Sequence, residues 1–206
     1  MTIISVKKEF FNQIESIWNN PAFDSIQIKD RGYAIQDEIE KNVILFVGIN
    51  PSYNNEPGKI FYNNNHSEIH PYFKKFKDIS QKVGLGWAHI DLLFVRETNQ
   101  KVVKEIDKDE LGKKFINEQL EISLAIIESV LPRIIVVNNT YARELLKGRL
   151  DSKFDEEIGT HRITGKNNLQ GTPIFFTSML TGQRALDLGS YERLIWQIKY
   201  VLEKTA

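Results

Sequence analysis

The sequence predicts an α/β fold, a three-layer sandwich in which helices cover both faces of a mostly parallel central sheet of about four or five strands. Two observations carry this expectation. Short apolar runs rich in β-branched and aromatic residues recur at Val43–Val47, Ala88–Val95, Arg133–Val137 and Thr172–Thr177, and continuous rather than alternating hydrophobicity suits strands buried on both faces. The runs are separated by segments whose apolar residues return every three or four positions, the period of an amphipathic helix.

In chain order, Phe10, Phe11, Ile14, Ile17 and Trp18 share one face of a helix over Val6–Trp18, which Pro21 ends. A polar connection containing Arg31, Gly32 and Tyr33 leads to the first buried strand, Val43–Val47. Gly48 ends that strand, and Pro51 fixes its own φ and biases Asn50 toward extended geometry, so the Asn50 amide is held in a defined direction. The crevice beyond the carboxyl ends of parallel strands is where open sheets bind ligands, which puts Asn50 at a candidate site. A plain strand-terminating turn is the alternative for Gly-Ile-Asn-Pro. The Asn-rich stretch from Asn50 to Ile69, with Pro57 and Gly58, reads as one long loop, and loops of that length in compact domains are commonly functional.

His70 and Pro71 start a helix with Phe73, Phe76 and Ile79 on its core face and Lys74, Lys75 and Lys77 around it. Within the next strand, Asp91 is out of place among apolar residues. A buried carboxylate needs a partner, so it is either a ligand-facing group or a local hydrogen-bond anchor. Leu111, Phe115, Leu120, Leu124, Ile127 and Val130 define a long crossover helix over Lys108–Val130, closed by Pro132. The strand after it ends in Asn138, Asn139 and Thr140, of which Asn139 or Thr140 can cap a helix over Tyr141–Lys147. A short strand pair is expected around Phe154 and Ile163. The strand Thr172–Thr177 then breaks into a polar turn, Ser178–Asp187, before the amphipathic helix Tyr191–Leu202.

The chain has 206 residues, enough for one well-cored domain, and we expect a single domain over 1–206. Lys plus Arg and Asp plus Glu both total 27, so no global charge bias favours nucleic acid and a polyanion would need a local patch. The absence of cysteine excludes disulfides, thiol catalysis, zinc-thiolate sites and cysteine-ligated iron–sulfur clusters. The N-terminus lacks the apolar core of a signal peptide, and no segment has the length of a membrane span. These features lead us to expect a soluble cytoplasmic protein, a monomer that does not engage membranes.

Three stretches, in order and spacing, resemble the uracil-DNA glycosylase superfamily, closest to its mismatch-specific uracil/thymine branch. They are Gly48-Ile49-Asn50-Pro51, then His70-Pro71 with Phe73 and Phe76, and then Ser178-Met179-Leu180-Thr181-Gly182-Gln183-Arg184. The resemblance covers roughly Asn42 to Leu202. It implies the superfamily's fold and a monofunctional glycosylase of base-excision repair that flips a modified or mismatched base from DNA and hydrolyses its N-glycosidic bond, without cofactor, metal or covalent nucleophile. On that resemblance Asn50 orients the attacking water, and Gly48, Ile49, Pro51, Ser52, Asp91 and Phe176 surround the base, with Tyr53 or Phe61 stacking on it. Ser52 matches a position where the mismatch-specific branch has Gly and uracil-specific enzymes a bulky ring, so it leaves room for a substituted pyrimidine. The loop Ser178, Leu180, Thr181, Gly182, Gln183 and Arg184 would supply a duplex wedge and a phosphate contact, with Lys74, Lys75 and Lys77 as a further phosphate rim.

The sequence departs from the family at two positions. The last motif commonly has His or Asn two residues before its Ser, and Phe176 stands there, which cannot donate to a leaving base anion. Asp91 lies near where several members have an Asn that reads uracil, and an ionised Asp only accepts, favouring a base edge that offers an amino or imino donor. These departures motivate a rival expectation, a catalytically weak or inactive nucleic-acid or nucleotide-binding module on the same fold; the neutral overall charge motivates another, an unrelated α/β enzyme acting on a small metabolite.

Overall fold

The computed structural model describes residues 2–63, 70–165, 168–182 and 185–205. Strand β1 (Ile3–Ser5) leads into helix α1 (Val6–Trp18), where the Ser5 side chain caps the helix by accepting from the Lys8 amide. Strands β2 (Gly32–Gln36) and β3 (Glu38–Glu40) occupy the connection that reads from sequence as irregular. β1 pairs antiparallel with β3. The first buried strand follows as β4 (Ile44–Gly48). Strand β5 (Gly58–Tyr62) lies inside the expected long loop and pairs parallel with β2. Their entry is tight: Gly32 has φ +78°, and a Cβ there would stand 2.1 Å from the Gly58 carbonyl oxygen, so only glycine fits.

A 3₁₀ turn at Pro71–Phe73 precedes helix α2 (Lys74–Val83). Strand β6 (Trp87–Asp91) is shorter than expected, because Leu92 and Leu93 leave the ladder to donate to the Gly48 and Ile49 carbonyls. Asp91 is therefore the last residue of its strand. Helix α3 (Gln100–Ile106) was not anticipated. It is a two-turn helix that buries only Val103, too little apolar periodicity to be read. Helix α4 (Glu110–Val130), strand β7 (Ile134–Val137), helix α5 (Thr140–Leu146), strands β8 (Ser152–Asp155), β9 (Thr160–Ile163) and β10 (Pro173–Phe176), and helix α6 (Leu188–Lys204) complete the order.

The central sheet has six strands in the order β6-β4-β7-β10-β9-β8. β6, β4, β7 and β10 are mutually parallel, and the β8–β9 hairpin extends the sheet antiparallel beyond β10. The strand pair expected around Phe154 and Ile163 is present as β8 and β9 and joins the central sheet, which therefore has six strands where four or five were expected. Side chains alternate across the sheet. Leu45, Val47, Ile90, Ile135 and Ile174 join one core with α1 and α4, whereas Ile44, Phe46, Ile134, Val136 and Phe175 join another with α2 and α6. Helices thus cover both faces, giving three layers. The chain leaves β4 toward β6 on one side and later enters β7 on the other, so the strand order reverses around β4, and this opens a crevice at the carboxyl ends of β4 and β7. Among the described residues no helix is long and apolar enough to cross a membrane.

Candidate functional site

The crevice is a cavity of about 510 Å³, within the range of small-molecule sites. Its floor follows from strand alternation. Gly48 pairs with Asp91, and Val47 pairs with Val137 while accepting from the Asn138 amide, so Asp91, Gly48 and Asn138 form one row across three neighbouring strands. All three continue the face of Phe46 and Val136. Gly48 leaves the middle place empty, and the Asp91 carboxylate lies over it: a Cβ on Gly48 would meet Asp91 Oδ1 at 2.2 Å and His89 Nε2 at 3.0 Å. His89 sits one pleat back from Asp91, its Nε2 3.6 Å from Asp91 Oδ1, and its ring stacks on Phe76.

This floor is buried and under-satisfied. His89 is 1% and Asn138 3% exposed, yet both His89 ring nitrogens and Asn138 Oδ1 have no hydrogen-bond partner among the described residues. Such orphaned groups are costly in a folded interior and point to something that binds them. Burial pulls the His89 imidazole down to about 3 and pushes the Asp91 carboxyl up to about 7, so at neutral pH the histidine is uncharged and Asp91 stands between its two forms. Tyr62, Tyr72 and Phe73 line the cavity with Met179. Both phenols are pushed up, first by burial and then by the Asp91 charge, and remain neutral donors. Replacing Gly48 with Ala is expected to drive the Asp91 carboxylate off its seat into the water-accessible cavity. Its titration midpoint should then fall from about 7 toward the ordinary carboxylate range, as read by ¹³C carboxyl NMR.

Asn50 also lines the cavity. Its Nδ2 donates to the Pro51 carbonyl at 3.1 Å and to the Glu97 carbonyl. With both N–H bonds engaged, the amide cannot turn, and Oδ1 takes no hydrogen bond among the described residues. Asn50 is therefore a fixed acceptor, where its residue type alone allows donation as well. The support behind it is a second layer: the Glu97 amide donates to Pro51 O, and the buried Glu97 carboxylate pairs with Arg31 and accepts from the Asn99 amide. Ile49 packs into the core beneath. Ser52 is exposed at the cavity mouth.

Several expected site residues lie elsewhere. Tyr53 does not line the cavity; the Arg31 and Arg96 guanidinium groups approach its ring at 4.9 and 5.5 Å, so it is occupied as a loop anchor. Phe61 packs on Tyr33 and Phe11. Its neighbour Tyr62 faces the cavity instead, since adjacent residues of a strand point to opposite faces. Phe176 lies on the other side of the sheet against His161 and beneath Arg143, because β10 presents Phe175, not Phe176, to the face that leads to the cavity. Leu180 is buried in the core beside α6 and cannot act as an exposed wedge. Among the described residues of its loop, Ser178 and Gly182 are exposed, Thr181 is half-buried, and Met179 lines the cavity. Gly182 has φ +87°, a turn geometry suited to glycine. Gln183 and Arg184 lie outside the described residues. Lys74, Lys75 and Lys77 are exposed on α2, with Lys75 over the Tyr191 ring. Phe176→Leu is accordingly expected to leave ligand affinity unchanged within about twofold, the scale of a substitution away from a site, measurable by calorimetric titration.

The sequence reading missed His89 and Asn138. Asn139 takes the capping role, accepting from the Tyr141 and Ala142 amides, which frees Asn138 for the floor. The available signals were the i, i+2 spacing of His89 and Asp91 and the fact that two apolar runs both end in asparagine. Among the described residues no group of three or more His, Asp or Glu side chains is placed to hold a metal ion. No family model matches the chain, and no curated protein matches it.

Proposed function

We propose that the protein is a DNA glycosylase-like hydrolase of the uracil-DNA glycosylase superfamily, cleaving the N-glycosidic bond of a modified or mismatched base flipped out of DNA. The observation that carries the reading is one aromatic-lined cavity that holds a fixed acceptor at Asn50 and, on its floor, Asp91 beside the unpartnered polar groups of His89 and Asn138. A flipped base fills such a cavity edge-first, with its faces against aromatic rings and its polar edge on the floor.

The chemistry assigned to each group follows from its state. Hydrolysis passes through an oxocarbenium-like sugar while the base leaves as an anion. Asn50 Oδ1 accepts from the attacking water and aims its lone pair at the sugar carbon; an amide is a poor base, so the contribution is one of position. The bond from water oxygen to carbon forms as the carbon–nitrogen bond breaks, and the proton that the water sheds ends on the departing base anion, which is released neutral. The departing charge falls on the floor, where the uncharged His89 N–H is an available donor. It stands in for the donor that Phe176 does not supply.

The competing reading, a binding module without turnover, draws on the lining of the cavity, which among the described residues contains no Lys or Arg. Duplex and single-stranded oligonucleotides, each carrying one modified base, followed by alkaline cleavage at abasic sites, separate the two. Strand cleavage by wild type that is lost in Asn50→Ala supports the glycosylase, binding without cleavage supports the module, and neither binding nor cleavage removes DNA as the partner.

A further inference from the structure

The floor of the cavity has a donor–acceptor pattern specific enough to name the base it takes. Asp91, Gly48 and Asn138 occupy one row over adjacent strands, so the outer two backbones are about 9–10 Å apart. The Asp91 carboxylate leans over Gly48 into that gap, and Asn138 Oδ1 is buried beside it with no donor. A ligand edge entering the gap thus meets two acceptors. Next to them is His89, both ring nitrogens unpartnered; a neutral imidazole carries one N–H and offers a donor. Tyr62, Tyr72 and Phe73 require the ligand to be flat.

We propose that the cavity takes a guanine-type base, one presenting a ring N–H beside an exocyclic amino group, with Asp91 and Asn138 as the acceptors that read this edge. The assignment rests on the reading of the cavity as a base pocket. Guanine and its oxidised or ring-modified derivatives that keep this edge offer two adjacent donors followed by a carbonyl oxygen, matching two acceptors followed by the His89 donor. Uracil and thymine offer one N–H between two carbonyl oxygens, and adenine and cytosine offer an amino group beside a bare ring nitrogen. Each of these sets a lone pair against a buried acceptor, and unmatched buried polar groups reject a ligand strongly. Gly48 belongs to the same device, since a Cβ there would meet the Asp91 carboxylate at 2.2 Å and push it off the seat from which it reads the base.

The test is binding of 2′-deoxyguanosine, 2′-deoxyinosine and 2′-deoxyuridine to the full chain, followed by NMR titration, with the oligonucleotide excision assay run in parallel. Deoxyinosine keeps the ring N–H and lacks only the amino group. We expect deoxyguanosine to bind about tenfold more tightly than deoxyinosine, the worth of one hydrogen bond to a charged group, and deoxyuridine to bind most weakly. Asp91→Asn, which keeps the size of the side chain, should bring deoxyguanosine and deoxyinosine to within about twofold of each other. Deoxyuridine binding as tightly as deoxyguanosine, an unchanged preference in Asp91→Asn, or no binding of any of the three would overturn the assignment. Excision of uracil with no preference for a guanine-type base would also overturn it while leaving the glycosylase reading intact. The expected binding pattern without excision from any oligonucleotide would support the assignment and remove the glycosylase reading.

Discussion

Asn50→Ala is expected to lower the rate of base excision by about 10²–10³-fold while changing DNA affinity little. The magnitude is that of losing one preorganised polar group or misplacing a reactant by an ångström. The split between rate and affinity follows from the geometry. On the proposed reading Asn50 Oδ1 serves the water and the base rests on Asp91, His89 and Asn138, so its removal affects the transition state and leaves the contacts with the base in place. The variant also loses two hydrogen bonds to the Pro51 and Glu97 carbonyls, and some of the cost will appear as stability, about 1–3 kcal/mol. Single-turnover kinetics with oligonucleotide, alongside thermal unfolding of the same variant, separates the two. A fall in affinity with unchanged single-turnover rate would move Asn50 from water positioning to base binding.

The second large effect is a compensation in the pH dependence of stability. Asp91 titrates near 7 in the folded chain against an ordinary value of 3.8. The folded state therefore holds a proton that the unfolded state has lost, and this contribution is fully present below about pH 4 and disappears as pH rises through 7. His89 titrates near 3 against 6.5. Its contribution runs the other way: present above about pH 6.5 and lost as pH falls toward 3. Between about pH 4 and 6.5 the two slopes oppose each other, each up to about 1.4 kcal/mol per pH unit, and the wild-type pair should add little net slope. Asp91→Asn removes one side of the balance. Its unfolding free energy, measured in urea across that window, should rise with pH relative to wild type, whereas a His89→Gln variant should fall. Equal slopes in wild type and Asp91→Asn, or a His89 that titrates above its ordinary value, would mean that the two side chains form an ion pair and do not resist charge separately.

Much of the architecture was legible because it depends on local pattern. The run Val43–Val47 is apolar on both faces, and only a covered strand in a parallel sheet gives that signal. The carboxyl-end position of Asn50 followed from the same run. What was not legible depends on pairings distant in sequence. β5 is short and half-exposed and its strand partner β2 is distant in sequence, so Gly58–Tyr62 reads as loop, and without its register Phe61 and Tyr62 cannot be assigned to opposite faces. Phe176 fails for the same reason: its place in the motif suggests the pocket, and the parity of β10 puts it on the far side of the sheet. Asn139 and Thr140 are both capping candidates until α5 takes Asn139, and only the register of β7 against β4 places Asn138 on the floor. Leu180 looked exposed because its loop is polar, but it is drawn into the core between β10 and α6, a tertiary preference that local sequence does not carry. The Asp91–His89–Asn138 floor depends on two of these pairings at once, which is why the acidic residue drew notice while its partners did not.

The most direct measurement is mass-spectrometric detection of free base released by the wild-type chain from a single-stranded or duplex oligonucleotide bearing one oxidised guanine, with uracil-bearing DNA in parallel. The account predicts free base and an abasic strand in equal amounts, both absent with Asn50→Ala. Intact oligonucleotide after prolonged incubation with every modified base, under conditions where the protein remains folded, would contradict it.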